Sequence, residues 1–171
     1  MTQALSATEN LIVHPDFPPL HVLAVPGHTK GHIAYYIDDC LFCGDTLFSA
    51  GCGRLLGGTA AQLLSSLETL SQLPLATKIY CTHEYTEANL RFANTTELDN
   101  VDILQRQQTV SRLRQSKQAS LPSNLALELK TNPFLRCHHP DVINSAEQYA
   151  GQPLNTKLAV FTALRQWKDH F

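Results

Sequence analysis

The sequence predicts an α/β chain in which a sheet-forming first part gives way to a mostly helical second part. Three observations support this. Short apolar runs of strand length occupy residues 20–25, 33–37, 40–43 and 78–82. One amphipathic helix fits between them, over residues 60–73. Beyond His83 the apolar spacing lengthens to helical periods over residues 86–94, 101–117, 140–150 and 156–170.

Residues 1–19 read as a polar lead and a proline-rich approach, because Pro15, Pro18 and Pro19 discourage regular structure. The ordered fold is therefore expected to start near Leu20. The strands at 33–37 and 40–43 flank Asp38-Asp39, a hairpin turn signal. In the helix over 60–73, Thr59 and Gln62 match a capping box. Leu63, Leu67, Leu70 and either Leu73 or Leu64 line one face, and Pro74 stops it. Residues 121–136, with Pro122 and Pro133, read as an extended connection between helices. The expected organisation is thus a lead (1–19), a sheet-containing domain (20–99) and a helical subdomain (100–171).

The 171 residues, 43% hydrophobic, suffice for one packed core. A net charge of −2 gives no basis for a nucleic-acid or anionic-membrane partner, and no run of 18 apolar residues is present to span a bilayer. The first 20 residues lack the basic start and apolar block of a secretory signal. Five cysteines at irregular spacing fit a reducing cytoplasm better than a disulfide framework. Cys40 and Cys43 sit three apart on a strand, on opposite faces, so they read as small buried hydrophobes rather than a chelating pair.

Ligand-type residues recur just past the ends of three strands: His28 in Pro26-Gly27-His28-Thr29, Asp45 in Gly44-Asp45-Thr46-Leu47-Phe48, and His83 in Thr82-His83-Glu84-Tyr85. Loops held by a rigid sheet commonly carry function, and two imidazoles with a carboxylate are a suitable zinc donor set. His32 enters the next strand and is expected to make a structural hydrogen bond. His138 and His139 precede Pro140 in a solvated turn, and His14, His21 and His170 lack ligand-type neighbours.

The order Val25-Pro26-Gly27-His28-Thr29-x-Gly31-His32, then Phe42-Cys43-Gly44-Asp45-Thr46-Leu47-Phe48-x-x-Gly51-Cys52-Gly53-Arg54, then His83-Glu84-Tyr85-Thr86, closely resembles hydroxyacylglutathione hydrolase (glyoxalase II) of the metallo-β-lactamase fold. Asn132-Pro133-Phe134 and Leu164-Arg165-Gln166-Trp167-Lys168-Asp169 extend the resemblance to the C-terminus. It implies the C-terminal half of an αββα sandwich followed by a helical, glutathione-binding subdomain. It further implies that Asp45 bridges two metal ions, zinc with iron or manganese as alternatives, and that His28 ligates one and His83 the other. Such a centre activates a hydroxide against the thioester carbonyl of S-(2-hydroxyacyl)glutathione, releasing glutathione and a 2-hydroxy acid such as D-lactate, as in methylglyoxal detoxification. Arg54, Tyr85, Arg165 and Lys168 match positions that contact glutathione, the last two its glycine carboxylate. Leu56 stands where some members carry an aromatic hydroxyl, so one substrate hydrogen bond is not expected here.

The family also carries an N-terminal Thr-His-x-His-x-Asp-His segment of metal ligands, which these 171 residues do not contain. Weak metal binding and a sheet face without its cover are therefore expected. Three alternatives stay open: a glyoxalase II sequence with a truncated or misplaced start, another thioester or ester hydrolase of the same fold, and a non-catalytic remnant that binds metal weakly or serves in an interaction.

Overall fold

The computed structural model describes the backbone of residues 10–11 and the whole of residues 16–171. Six strands make one sheet in the order β1 (Asn10–Leu11), β2 (Leu20–Ala24), β3 (Ile33–Ile37), β4 (Cys40–Gly44), β7 (Lys78–Cys81) and β8 (Ser123–Asn124). A two-stranded ribbon, β5 (Leu47–Phe48) with β6 (Gly51–Cys52), branches off after β4. The expected irregular lead falls largely on residues 1–9 and 12–15, outside those described. Within it, however, Asn10 and Leu11 pair with His21 and Leu20. The reason is that the free edge of β2 offers unpaired backbone groups that a short extended segment satisfies despite nearby prolines.

The turn between β3 and β4 is carried by Asp38 and Asp39, both at positive φ (46° and 58°), the backbone that a tight two-residue hairpin demands. β2, β3 and β4 are antiparallel neighbours, whereas β4 and β7 are parallel. Two antiparallel steps restore direction, so β2, β4 and β7 all run the same way and end at the same edge of the sheet. The parallel pair requires a crossover, and helix α1 (Ala60–Leu70) supplies it.

Helix α1 begins at the expected capping box: the Gln62 amide donates to Thr59 Oγ1, and the Thr59 amide donates to Gln62 Oε1. Its stripe Leu63, Leu64, Leu67 and Leu70 is buried against the sheet. The helix ends one turn before the expected Leu73: the Ser71 amide still donates to Leu67 O, but the Gln72 and Leu73 amides tighten onto Thr69 O and Leu70 O, three residues back, ahead of Pro74.

Five more α-helices follow β7: α2 (Thr86–Thr96), α3 (Val101–Gln115), α4 (Leu125–Thr131), α5 (Pro140–Ala150) and α6 (Lys157–Asp169), with a 3-10 turn (Pro133–Leu135) between α4 and α5. The expected extended connection over 121–136 is thus overturned. Pro122 lies ahead of the helix and Pro133 starts the next turn, so neither interrupts α4. Asn124 caps it by accepting from the Leu127 amide. One apolar core runs from Val25, Leu41 and Ile79 through α1 to Phe134, Phe161 and Leu164, so the helical part shares its core with the sheet. On the other face, Phe42 is 44% exposed and stacks on Tyr80 at 5.1 Å, consistent with the expected uncovered face among the described residues.

All five cysteines are unbonded. Cys43 is buried, which pushes its thiol up to about 12. Cys40, expected to be buried too, is half-buried because it opens β4 beside the hairpin turn.

Candidate metal centre

His28, Asp45 and His83 follow β2, β4 and β7, the three strands that end at one edge. The His28 loop is held by α1: Ser66 Oγ donates to Pro26 O at 2.6 Å, and a Cβ on Gly27 would lie 2.5 Å from Leu63. Only glycine permits this approach, and at φ +145° only glycine adopts the backbone. Asp45 leaves β4 through Gly44 at φ +54°. The Asp45 amide donates to His32 Nε2 at 3.1 Å, so His32 makes the structural hydrogen bond expected of it and carries its own proton on Nδ1 when neutral.

The two histidines approach different oxygens of one carboxylate. His28 Nε2 lies 3.9 Å from Asp45 Oδ2, and His83 Nε2 lies 3.4 Å from Asp45 Oδ1. His28 Nδ1 faces the Arg54 carbonyl at 2.8 Å. A carbonyl only accepts, so Nδ1 carries a hydrogen, and in the neutral ring Nε2 is the nitrogen left with a lone pair toward Asp45. His83 stacks on Tyr85 (5.1 Å between rings), and Phe48 meets Tyr85 edge-on at 5.4 Å.

These residues border an open cavity of about 640 Å³, also lined by Cys52, Gly53, Arg54, Leu56, Asn89, Arg165 and Lys168. Each of the seven site residues expected from the sequence lines it. Tyr85 is half exposed, and Arg54 is exposed. Lys168 Nζ sits over the rings of Phe92 and Phe171, at 5.5 and 5.4 Å. Burial, together with the nearby charges of Arg165 and Arg91, lowers its pKa. Arg165 is only 5% exposed. Its guanidinium donates to Cys52 O (2.9 Å) and Asp169 Oδ1 (3.0 Å) and lies over Phe134. It joins α6 to the wall of the cavity.

Two contributors were not anticipated. Phe48, the last residue of a quoted segment, forms the aromatic wall beside His83. Glu84, between two site residues, turns away: Oε1 accepts from the Ser120 amide (2.5 Å) and hydroxyl (2.6 Å), and Oε2 from Arg114 (3.2 Å). Those bonds to Ser120 hold its pKa below the ordinary value.

His28, Asp45 and His83 do not close on one point. Among the described residues, the trio whose ligand atoms all lie within 4.8 Å of one another is Glu97, His139 and Asp141. There Arg136 already donates to both oxygens of Glu97, at 2.7 and 2.8 Å, so the local positive charge is supplied by protein. His139 was expected in a solvated turn; instead its Nδ1 lies 3.3 Å from the buried Glu97 carboxylate. His138 is exposed, and His170 bonds to its own helix at Gln166 O. His21 rests against Tyr36, whereas His14 lies outside the described residues.

Comparison with known proteins divides the chain near His83. Residues 8–83 match the metallo-beta-lactamase superfamily, and residues 84–171 match the hydroxyacylglutathione hydrolase C-terminus. The hydroxyacylglutathione hydrolase of Nitrosomonas eutropha is 49% identical over all of this chain and 67% of its own length. Curated relatives of that description match at 46–54% identity, and this chain spans 58–67% of their lengths. Among solved structures, a metallo-beta-lactamase from Staphylococcus aureus superposes with a TM-score of 0.56 at 20% identity, over 97% of this chain and 43% of that one. A protein crystallised in a di-iron-bound form, TTHA1623, gives 0.51 at 26% identity over 79% and 49%.

Proposed function

Since the chain belongs to the hydroxyacylglutathione hydrolase family, within the metallo-β-lactamase superfamily, we propose that it serves the hydrolysis of a glutathione thioester, S-(2-hydroxyacyl)glutathione, with S-D-lactoylglutathione as the type substrate. The products are glutathione and a 2-hydroxy acid such as D-lactate, as in methylglyoxal detoxification. The observation that carries this reading is the division of Asp45, one oxygen toward each histidine. A carboxylate so placed suits two cations, one beside His28 and one beside His83, better than a single ion. Imidazole and carboxylate donors accept zinc, iron or manganese.

Bound there, such ions lower the pKa of water and polarise a carbonyl. In the reaction a C–O bond forms from water to the acyl carbon, the C–S bond breaks, and sulfur leaves with the electron pair. The chain's own residues hold the parts. The Arg54 carbonyl keeps His28 in the Nδ1–H form, and His32 holds the Asp45 backbone. Phe48 and Tyr85 pack their rings against His83 and limit its rotation. Lys168 is the cation for a glutathione carboxylate, and Arg165 adds charge beside it while its hydrogens stay on Cys52 and Asp169. Arg54 and the Tyr85 hydroxyl face the peptide portion of glutathione, and Leu56 gives an apolar lip. Unbonded cysteines accord with a cytoplasmic setting, and no described helix is long and apolar enough to cross a membrane.

A non-catalytic role is the second reading, favoured by the donor count: three protein ligands are few for two ions that take about four each. Zinc titration and thiol release from S-D-lactoylglutathione separate the two. The hydrolase reading expects less than one tightly held zinc per chain and slow thiol release, both abolished by Asp45→Ala. Zinc uptake with no Asp45-dependent thiol release supports the non-catalytic role instead.

A further inference from the structure

We propose that Glu128 and Asn132, which line neither the cavity nor the metal centre, are positioning residues that fix residues 48–54 and through them the ring of His28. Both are fully buried. Glu128 extends from α4 toward the ribbon, where its Oε2 accepts from the Ala50 amide at 2.7 Å and from Asn132 Nδ2 at 3.0 Å, while Ser123 Oγ donates to Oε1. Asn132 Nδ2 also faces Gly51 O (3.0 Å) and Phe48 O (3.2 Å), and its Oδ1 accepts from the Phe134 amide.

The turn needs this support. Ala50 sits at φ +54°, a left-handed backbone that a residue with a Cβ adopts only when its surroundings impose it. From the turn the path to the site is short. Cys52 closes the ribbon, the Gly53 amide donates to Thr46 O at 3.2 Å, and a Cβ on Gly53 would strike Asp45 O. The next carbonyl, Arg54 O, takes the His28 Nδ1 hydrogen. The Asn132-Pro133-Phe134 segment, prominent in the sequence yet remote from the chemistry, thereby acquires a role. The ring geometry stands by itself; only its consequence for metal uptake rests on the reading of the centre given above.

The test reads histidine ring nitrogens by two-dimensional nitrogen–proton NMR on the metal-free chain, at a pH where imidazole is neutral. Wild type should show His28 as Nδ1–H. Glu128→Gln should leave it so, since the amide oxygen still accepts from Ala50 and Asn132 and the amide nitrogen donates to Ser123 Oγ. Asn132→Ala should shift His28 to mixed tautomers with Nε2–H the larger share. A folded Asn132→Ala chain, with unchanged circular dichroism and His28 still Nδ1–H, overturns the proposal. Should that variant not fold, amide exchange of the wild type decides. Ala50 and Gly53 should exchange as slowly as Phe134, and exchange at the rate of exposed turns overturns the proposal. Failure of the metal reading is distinct: a wild type with His28 as Nδ1–H that takes up no zinc.

Discussion

Replacing Glu84 by alanine removes the tie between the His83–Tyr85 loop and the chain after α3. Ser120 is 3% exposed, so its amide and hydroxyl lose the carboxylate without gaining water, although the hydroxyl keeps Thr86 Oγ1 at 2.9 Å. A buried donor left unpaired costs about 1–3 kcal/mol. The Arg114 contact adds little: its side chain is 40% exposed, and pairs of that kind contribute roughly 0–1 kcal/mol. The expected loss is about 2–3 kcal/mol, which for a chain of this size lowers Tm by about 4–12 °C. Glu84→Gln should recover most of it, because one amide oxygen still accepts from both Ser120 donors. The native pKa of Glu84 lies below its ordinary 4.5. The ionised carboxylate therefore contributes in full above pH 4.5, and this contribution is lost as pH falls through the native value. Urea denaturation followed by the fluorescence of Trp167, the single tryptophan, measures each variant at neutral and acid pH. An alanine variant within about 0.5 kcal/mol of wild type, the range of ordinary surface changes, refutes the reasoning. So does a glutamine variant as damaged as alanine.

Other outcomes follow from the same contacts. Arg165→Ala should cost about 3 kcal/mol, since it strips a buried guanidinium from Cys52 O and Asp169, and Arg165→Lys should not restore it because a single ammonium nitrogen does not span the two acceptors that Nη1 and Nη2 reach separately; thermal denaturation checks this. Burial raises the Glu128 pKa above 4.5. Its folded form holds a proton that the unfolded chain has released, so wild-type stability relative to Glu128→Gln should decline as pH rises from 4.5 through the native value, readable as a Tm difference. Thr59→Ala should lower stability by about 1 kcal/mol through loss of the cap on α1, measured by urea denaturation.

Much of this was legible in the sequence because the signals were local. The Thr59–Gln62 box, the leucine stripe and the Asp38-Asp39 turn each act within a few residues, and each appears where its spacing put it. The convergence of His28, Asp45 and His83 was legible as three strand ends, and the sheet order explains why these ends meet. What escaped was set by tertiary context. Residues 121–136 hold two prolines that read as breakers, yet both lie outside α4, whose Asn124 cap was the overlooked signal. The β1 pairing depends on a vacant edge rather than on propensity. The burial of Arg165 depends on Cys52, 113 residues away in sequence, and Glu84 pairs with Ser120 across 36. No window of sequence carries such partners.

In the proposed centre His28 and His83 take metal from opposite sides of Asp45. Zinc titration of the chain, followed at each histidine ring nitrogen by NMR, tests it most directly. Nε2 of His28 and of His83 should respond together, with His32 and His139 unmoved, and both responses should vanish in Asp45→Ala. A first response at His139, or zinc uptake at His28 and His83 that persists without Asp45, would contradict it.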